Sequence, residues 1–450
     1  MSLTATAAQN ALIAFNRFGL GAKPGGPASI GSDPKAALKA ELAMPKIASI
    51  DGALPGYVKA CFASQQGFDN AEAVRQRELN ARIDKQMSVD IGFVERLVIF
   101  WANHFSMTVN KDDAVRGTIG QWERDVIRKN VLGKFGDMLR GTIQHPAMLC
   151  YLDNADSVGP HSTQGLNSGD GFNENLGREL MELHTIGSGG GYSETDVTVM
   201  ANILTGYSYV RGWESDGGYN GGTKKNRGQF LFRPTWHEPG SKTLMGKSYS
   251  SGGAQQALDV LDDLAVHPAT AEHVAFKLVR HFITDEPTPA MVNKLKDKFI
   301  ASGGNLHVVA LALLDLPEAW SAPFTKIRTP YEMTIAQYRA LGKRYPDDSA
   351  WAFSEPLNAL YNMQWESPSP EGYSDDTPRW LSPDAMRIRV DVAQFSSWEF
   401  ANDYKKNVGS LAKSLFDSAL SKNTAERLAN AGSNNNALTI LFSCPEFQRR

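Results

Sequence analysis

Capping residues and helix-starting prolines recur along the whole chain, and between them apolar residues return every three or four positions. Asp33-Pro34 opens one such segment with a capping side chain and a proline at the first helical position, and Met44-Pro45 closes it. Ser193-Glu194-Thr195-Asp196 has capping-box spacing ahead of Val197, Met200, Ala201 and Leu204. Pro268, Pro287, Pro330 and Pro383 mark further starts. The pattern predicts a mainly α fold, a multi-helix orthogonal bundle. The exception lies near 207–250, where Gly, Asn and aromatic residues cluster and Gln229-Phe230-Leu231-Phe232 reads as strand, so a small β-hairpin excursion is expected there.

From about Ala71 to His104 runs one long helical pattern in which Val89, Phe93, Leu97, Phe100, Trp101 and His104 share a face, which must be buried. His104 on that face is expected to be a hydrogen-bonded core histidine. Two irregular stretches interrupt the helices. Asn154 to Asn173 is rich in Gly, Ser, Asn and Asp and long for a connection, and Trp365 to Tyr373 should follow an extended, polyproline-like path over the surface. His145-Pro146-Ala147 and His267-Pro268-Ala269 match over three residues, too little for an internal repeat. The main helical domain is placed at 1–325, with the irregular insert 207–250, and a C-terminal helical part at 326–450 packs on it.

Charge narrows the partners. With 46 basic against 49 acidic side chains the net charge is −3, too balanced to draw in a polyanion, and the basic clusters Lys224-Lys225-Asn226-Arg227 and Lys405-Lys406 are isolated. Nucleic acid is therefore excluded. Cys61, Cys150 and Cys444 are too few and too far apart for a disulfide framework or a thiolate zinc motif. No stretch is apolar enough to span a membrane and no leader pattern opens the sequence, which as written reads as cytoplasmic, or extracytoplasmic if a signal was removed or a partner carries it out.

The richest polar segment runs from Asn173 to Gly187. Glu174, Arg178 and Glu182 form an i, i+4, i+8 ladder with Asn175 and Glu179 alongside, while Leu176, Leu180 and Leu183 take the other side. Gathered carboxylates beside a flexible loop suit acid/base chemistry, one raised in pKa and one kept ionised by Arg178. The same spacing also suits a plain ladder of ion pairs. Glu182 and His184 point to different faces while the helix persists, so they reach one ion only if it ends at Leu183. His145, Asp153, His237 and Glu238 are scattered His and carboxylate residues without a ligand pattern, and a divalent metal is the one cofactor left open. Gly187-Ser188-Gly189-Gly190-Gly191 follows a helix, lacks the Gly-Lys-Ser/Thr ending of a phosphate loop and precedes Glu194 and Asp196, so it is read as a hinge. No Gly-x-Ser-x-Gly elbow appears.

Asn173 to Gly187 resembles the hallmark of the bacterial domain-of-unknown-function 1800 family. Phe100-Trp101-Ala102-Asn103-His104-Phe105, His145 to Leu149, Tyr151 to Asn154, Gly190-Gly191-Tyr192, Leu204 to Tyr207, His267 to Thr270, Lys277-Leu278 and the Pro368 to Gly372 turn are similar to its other blocks, in its order. The resemblance implies no defined chemistry. It implies relatives that carry export signals, and genes that neighbour those of a secreted sulfatase- and phosphatase-like family.

Two functions follow as expectations besides a purely structural role. One is a hydrolase-like acid/base enzyme with a polar pocket around the 173–187 helix, carried by Glu179, Glu182, His184 and Arg178 with His104 behind them. The other is a binding or maturation partner of an exported sulfatase/phosphatase-like protein, marked by an exposed aromatic patch around Trp365, Tyr373 and Trp380.

Overall fold

The computed structural model describes residues 5–214, 223, 225–321, 324–342, 350–401 and 407–450; Lys224, Lys405 and Lys406 of the basic clusters lie outside them. The described residues hold 25 α-helices, several short π- and 3-10 turns and two small antiparallel two-stranded sheets, so the mainly α expectation holds. Tyr207–Tyr209 pairs with Phe230–Phe232, and Lys242–Leu244 pairs with Lys247–Tyr249 through a tight turn at Met245 and Gly246, both at positive φ. The excursion thus holds two strand pairs where one hairpin was expected.

Helix starts sit where capping chemistry puts them. Asp33 accepts from the Ala36 amide, Ser193 and Asp196 form a capping box, and Thr329 and Glu332 form another at the head of the Pro330–Leu341 helix. Pro287 is the exception, since Thr288 caps that helix and Pro289 begins it. The two His-Pro-Ala triplets turn out to be one device used twice: Nδ1 of His145 accepts from the Ala147 amide, and Nδ1 of His267 from the Ala269 amide. Each histidine closes an orphan donor while the proline occupies the first turn.

The long pattern from Ala71 to His104 is two helices, Phe68–Ser88 and Phe93–His104. Gly92, at φ +92°, turns the chain between them. Arg339 holds the break open by donating to the carbonyls of Gln86, Val89 and Asp90, which the helix end leaves unpaired. Apolar spacing continues across the gap because Val89 and Phe93 are four residues apart, so periodicity alone does not register the break.

One hydrophobic core joins residues from Leu12 to Phe447. Through it runs a set of buried arginines, among them Arg82, Arg96, Arg328, Arg339 and Arg450. Arg82 and Arg128 share Glu123, Arg128 also grips Glu95 at 2.7 Å, and Glu332 lies 3.1 Å from Arg96 and 3.0 Å from Arg450. These pairs tie early helices to late ones. No helix among the described residues is long and apolar enough to cross a membrane.

Candidate functional site

The polar helix Asn175–Glu179 continues into a π turn, Leu180–His184. Gly177 allows it to lie against the Glu194–Leu204 helix, since a Cβ there would come within 2.8 Å of the Ala201 amide nitrogen. Arg178 bridges Glu174 at 3.4 Å and Glu194 at 2.9 Å, and Thr198 donates to Glu174. This part of the ladder is a clasp between two helices on the surface. Glu179 is half-buried and its carboxyl is raised, first by burial and then by Glu182. His184, past the wide turn, is fully buried.

The end of that helix leaves carbonyls without amide partners, and histidines from two other helices take them. Nε2 of His104 lies 3.1 Å from the His184 carbonyl, and Nε2 of His273, on the Pro268–Phe282 helix, lies 3.1 Å from the Leu183 carbonyl. A carbonyl only accepts, so both histidines carry their proton on Nε2 and a lone pair on Nδ1. The three rings cluster, with His104 6.3 Å from His184 and 6.1 Å from His273 between centroids. Nδ1 of His104 and both ring nitrogens of His184 are buried without a hydrogen-bond partner among the described residues.

Electrostatics keeps this cluster neutral. Burial and the Lys277 charge push His184 down to about 3 and His273 to about 4, and lower His104 strongly. Lys277 is itself half-buried, one turn beyond His273, and burial brings its ammonium down to about 8 against the pull of Asp375 and Glu371. One turn further stands His281, whose Nδ1 donates to Asp375 at 2.6 Å while Nε2 accepts from Arg96 at 3.3 Å. Burial alone would raise the Asp375 carboxyl, but His281 and Lys326 outweigh it and hold it low. His273, Lys277 and His281 therefore form an i, i+4, i+8 stripe facing the Phe93–His104 helix, where His281 meets Phe100 and His273 meets His104.

Over the His281 end lies a strap, residues 362–376. Asn103 clasps the backbone of Tyr373 twice, at 2.9 and 2.8 Å, and Ser106 donates to Ser367 at 2.6 Å. Gly372, at φ +87°, is needed there, because a Cβ would come within 2.6 Å of the Asn103 carbonyl. Trp365 and Trp380 are buried and Tyr373 is half-buried, so those rings form no exposed patch, while Pro368 and Glu371 of the same stretch stay exposed at the surface. The cavity under the strap is about 60 Å³, too small for a substrate.

Ligand-sized space lies at the His273 end. A cleft of about 660 Å³ is walled by Gly187 to Gly191, Glu272, His273 and Phe276. Gly187 sits at φ +85°, and a Cβ on it would come within 2.8 Å of His273 Nδ1, so glycine lets the loop close on the ring. Two larger clefts, about 800 and 730 Å³, share Tyr57, Asp125 and Lys129, and the one histidine they include, His145, is spent through Nδ1 on capping. No group of three or more His, Cys, Asp or Glu among the described residues is placed to hold a metal ion.

The blocks meeting here come from across the chain, and the chain matches, over residues 13–449, the family model described as a protein of unknown function (DUF1800). The chain belongs to the DUF1800 family. No curated protein and no solved structure matches it. Two of the DUF1800-like blocks, Phe100 to Phe105 and Lys277-Leu278, lie on the two helices whose side chains meet at the stripe. Of the expected residues, His104 and His184 are brought together, Arg178 is in the surface clasp, and Glu179 and Glu182 stand on the outer side of the same helix, beside Tyr151 and Tyr192. Sequence reasoning missed His273, Lys277, His281 and Asp375. The first three were findable, since their spacing repeats that of Glu174, Arg178 and Glu182.

Proposed function

We propose that this DUF1800 protein is an acid/base enzyme, with hydrolysis its reaction class, working in the cleft beneath the glycine-rich loop. One observation carries the proposal: His104 stands beside both His184 and the cleft-wall His273, and Nδ1 of His104 and both ring nitrogens of His184 have no hydrogen-bond partner among the described residues. Unpaired buried polar groups cost stability, of order 1–3 kcal/mol each, and such a cost is tolerated where the group does chemistry. His273, whose Nδ1 lone pair faces Gly187 on the cleft wall, takes a proton from a bound water or hydroxyl. His104 and the Leu183 carbonyl fix its surroundings, and Lys277 sets its strength, since a charged ammonium nearby opposes protonation of the ring. Glu179, whose carboxyl is raised by burial and by Glu182, is the acid that the polar helix offers. No metal is required by this scheme.

A docking role for a sulfatase- or phosphatase-like partner has less behind it, because Trp365 and Trp380 are buried. The test is a screen of chromogenic ester, phosphate, sulfate and glycoside substrates with the wild type and His273→Gln. Loss of a general base should lower turnover by roughly 10²–10⁴-fold while the melting temperature stays close to wild type. Equal turnover by both proteins would remove His273 from the chemistry, and wild-type inactivity on every class would count against hydrolysis.

A further inference from the structure

Two lysines are drawn into the interior, and they are treated differently. Lys326 is fully buried, and its ammonium donates to Asp285 at 2.5 Å and to the Asp375 carbonyl at 2.7 Å. Such a lysine is a fixed structural cation. Lys277 is half-buried and makes no hydrogen bond or ion pair among the described residues. The groups that face it are the neutral imidazoles of His104, His184 and His273, the guanidinium of Arg280, and the carboxylates of Asp375 and Glu371. Both carboxylates have prior calls on them or stand apart: Asp375 is bound by His281, and Glu371 lies on the strap. Arg280 is engaged by Asp376.

We propose that Lys277, unpaired and one helical turn from the cleft-wall residue His273, is a nucleophilic amine that captures a small aldehyde or ketone as an imine. The proposal rests on the acid/base function only for its proton transfers. The free amine's lone pair attacks the carbonyl carbon, a C–N bond forms and the carbonyl π electrons move to oxygen. That oxygen takes a proton, the nitrogen loses its own, and the resulting hydroxyl leaves as water when a second proton reaches it and the C=N bond closes. Atoms and electrons balance without any oxidant or reductant. Neutral imidazoles one turn away are suited to accept and return these protons, which a stripe of charged partners would not be.

Burial sustains the amine, since a lysine brought down to about 8 is roughly half unprotonated at pH 8, where an ordinary one is almost wholly charged. The experiment uses the full-length protein with propionaldehyde and sodium cyanoborohydride at pH 8, followed by peptide mapping. The Lys277 peptide should gain the reduced propyl group on the order of 10-fold faster than the average lysine, the larger free-amine fraction being partly offset by lower intrinsic nucleophilicity. Lys277→Arg, folded by circular dichroism, should lose that peptide's label and keep the rest. Labelling of Lys277 at or below the surface average would overturn the inference. His273→Gln separates the two proposals: fast labelling in that variant, with no hydrolytic substrate found for the wild type, keeps the amine and discards hydrolysis. Slow Lys277 labelling in a wild type that hydrolyses a substrate does the reverse.

Discussion

Two polar regions lie inside this molecule within a few turns of each other. In the first, Arg82, Arg128, Glu95 and Glu123, and nearby Arg96, Arg450 and Glu332, every charge faces an opposite one. In the second, His104, His184, His273 and Lys277, no opposite charge among the described residues is in hydrogen-bond reach, and burial discharges the imidazoles. Pairing lets an ion survive in the interior at little net gain, yet makes the loss of either partner severe. Absence of pairing leaves neutral groups with lone pairs, which is a poor way to hold a fold and a useful way to move protons.

The largest effect should come from breaking the paired region. Arg128→Met leaves Glu95 and Glu123 buried beside an apolar side chain and should cost roughly 3–5 kcal/mol in urea unfolding. A loss under about 1 kcal/mol would mean the two regions do not differ as described. His104→Ala, which removes one hydrogen bond and opens a small cavity, should cost roughly 1–4 kcal/mol.

Acid should separate the regions further. The folded pKa values of His273 and His184 lie below the ordinary histidine value, so their contribution to stability is intact above about 6.5 and is lost as pH falls through about 4 and 3. The urea midpoint should therefore decline between pH 6.5 and 4, and His184→Gln should flatten that slope. A smaller effect on stability, and a sharper one on function, is expected from Lys277→Met. Removing an unpaired half-buried ammonium should leave stability within about 1 kcal/mol of wild type or raise it. Because its charge no longer opposes protonation, His273 should titrate higher and, as it must be unprotonated to act as a base, the pH profile of any hydrolysis should move to higher pH. Arg178→Ala, in a surface clasp, should cost at most about 1 kcal/mol.

Much of the fold was legible in local chemistry. Asp33, Ser193 and Thr329 cap helices because their side chains reach an orphan amide three residues on, which spacing alone reveals. The break at Gly92 was not legible, because it is held by Arg339 from more than two hundred residues away. Nor was the burial of the arginines, since hydropathy ranks them as surface residues and only tertiary pairing overrides that. At the site, His104 declared itself by its apolar face. His184 was a candidate too, but its burial was not legible, because the π turn carries it inward from a helix whose other polar residues face out. The packing of Trp365 to Tyr373 depends on Asn103 and Ser106, on a distant helix and just past its end, and has no local signal.

The most direct test is histidine side-chain nitrogen NMR on protein labelled at its nine histidines, assigned with His104→Gln, His184→Gln and His273→Gln. The expected result at pH 6 is three neutral rings, with His104 and His273 as Nε2–H tautomers bonded to the His184 and Leu183 carbonyls. Imidazolium shifts for these residues at pH 6, or protons on Nδ1, would show a charged or differently bonded cluster and contradict the division between paired structure and unpaired chemistry.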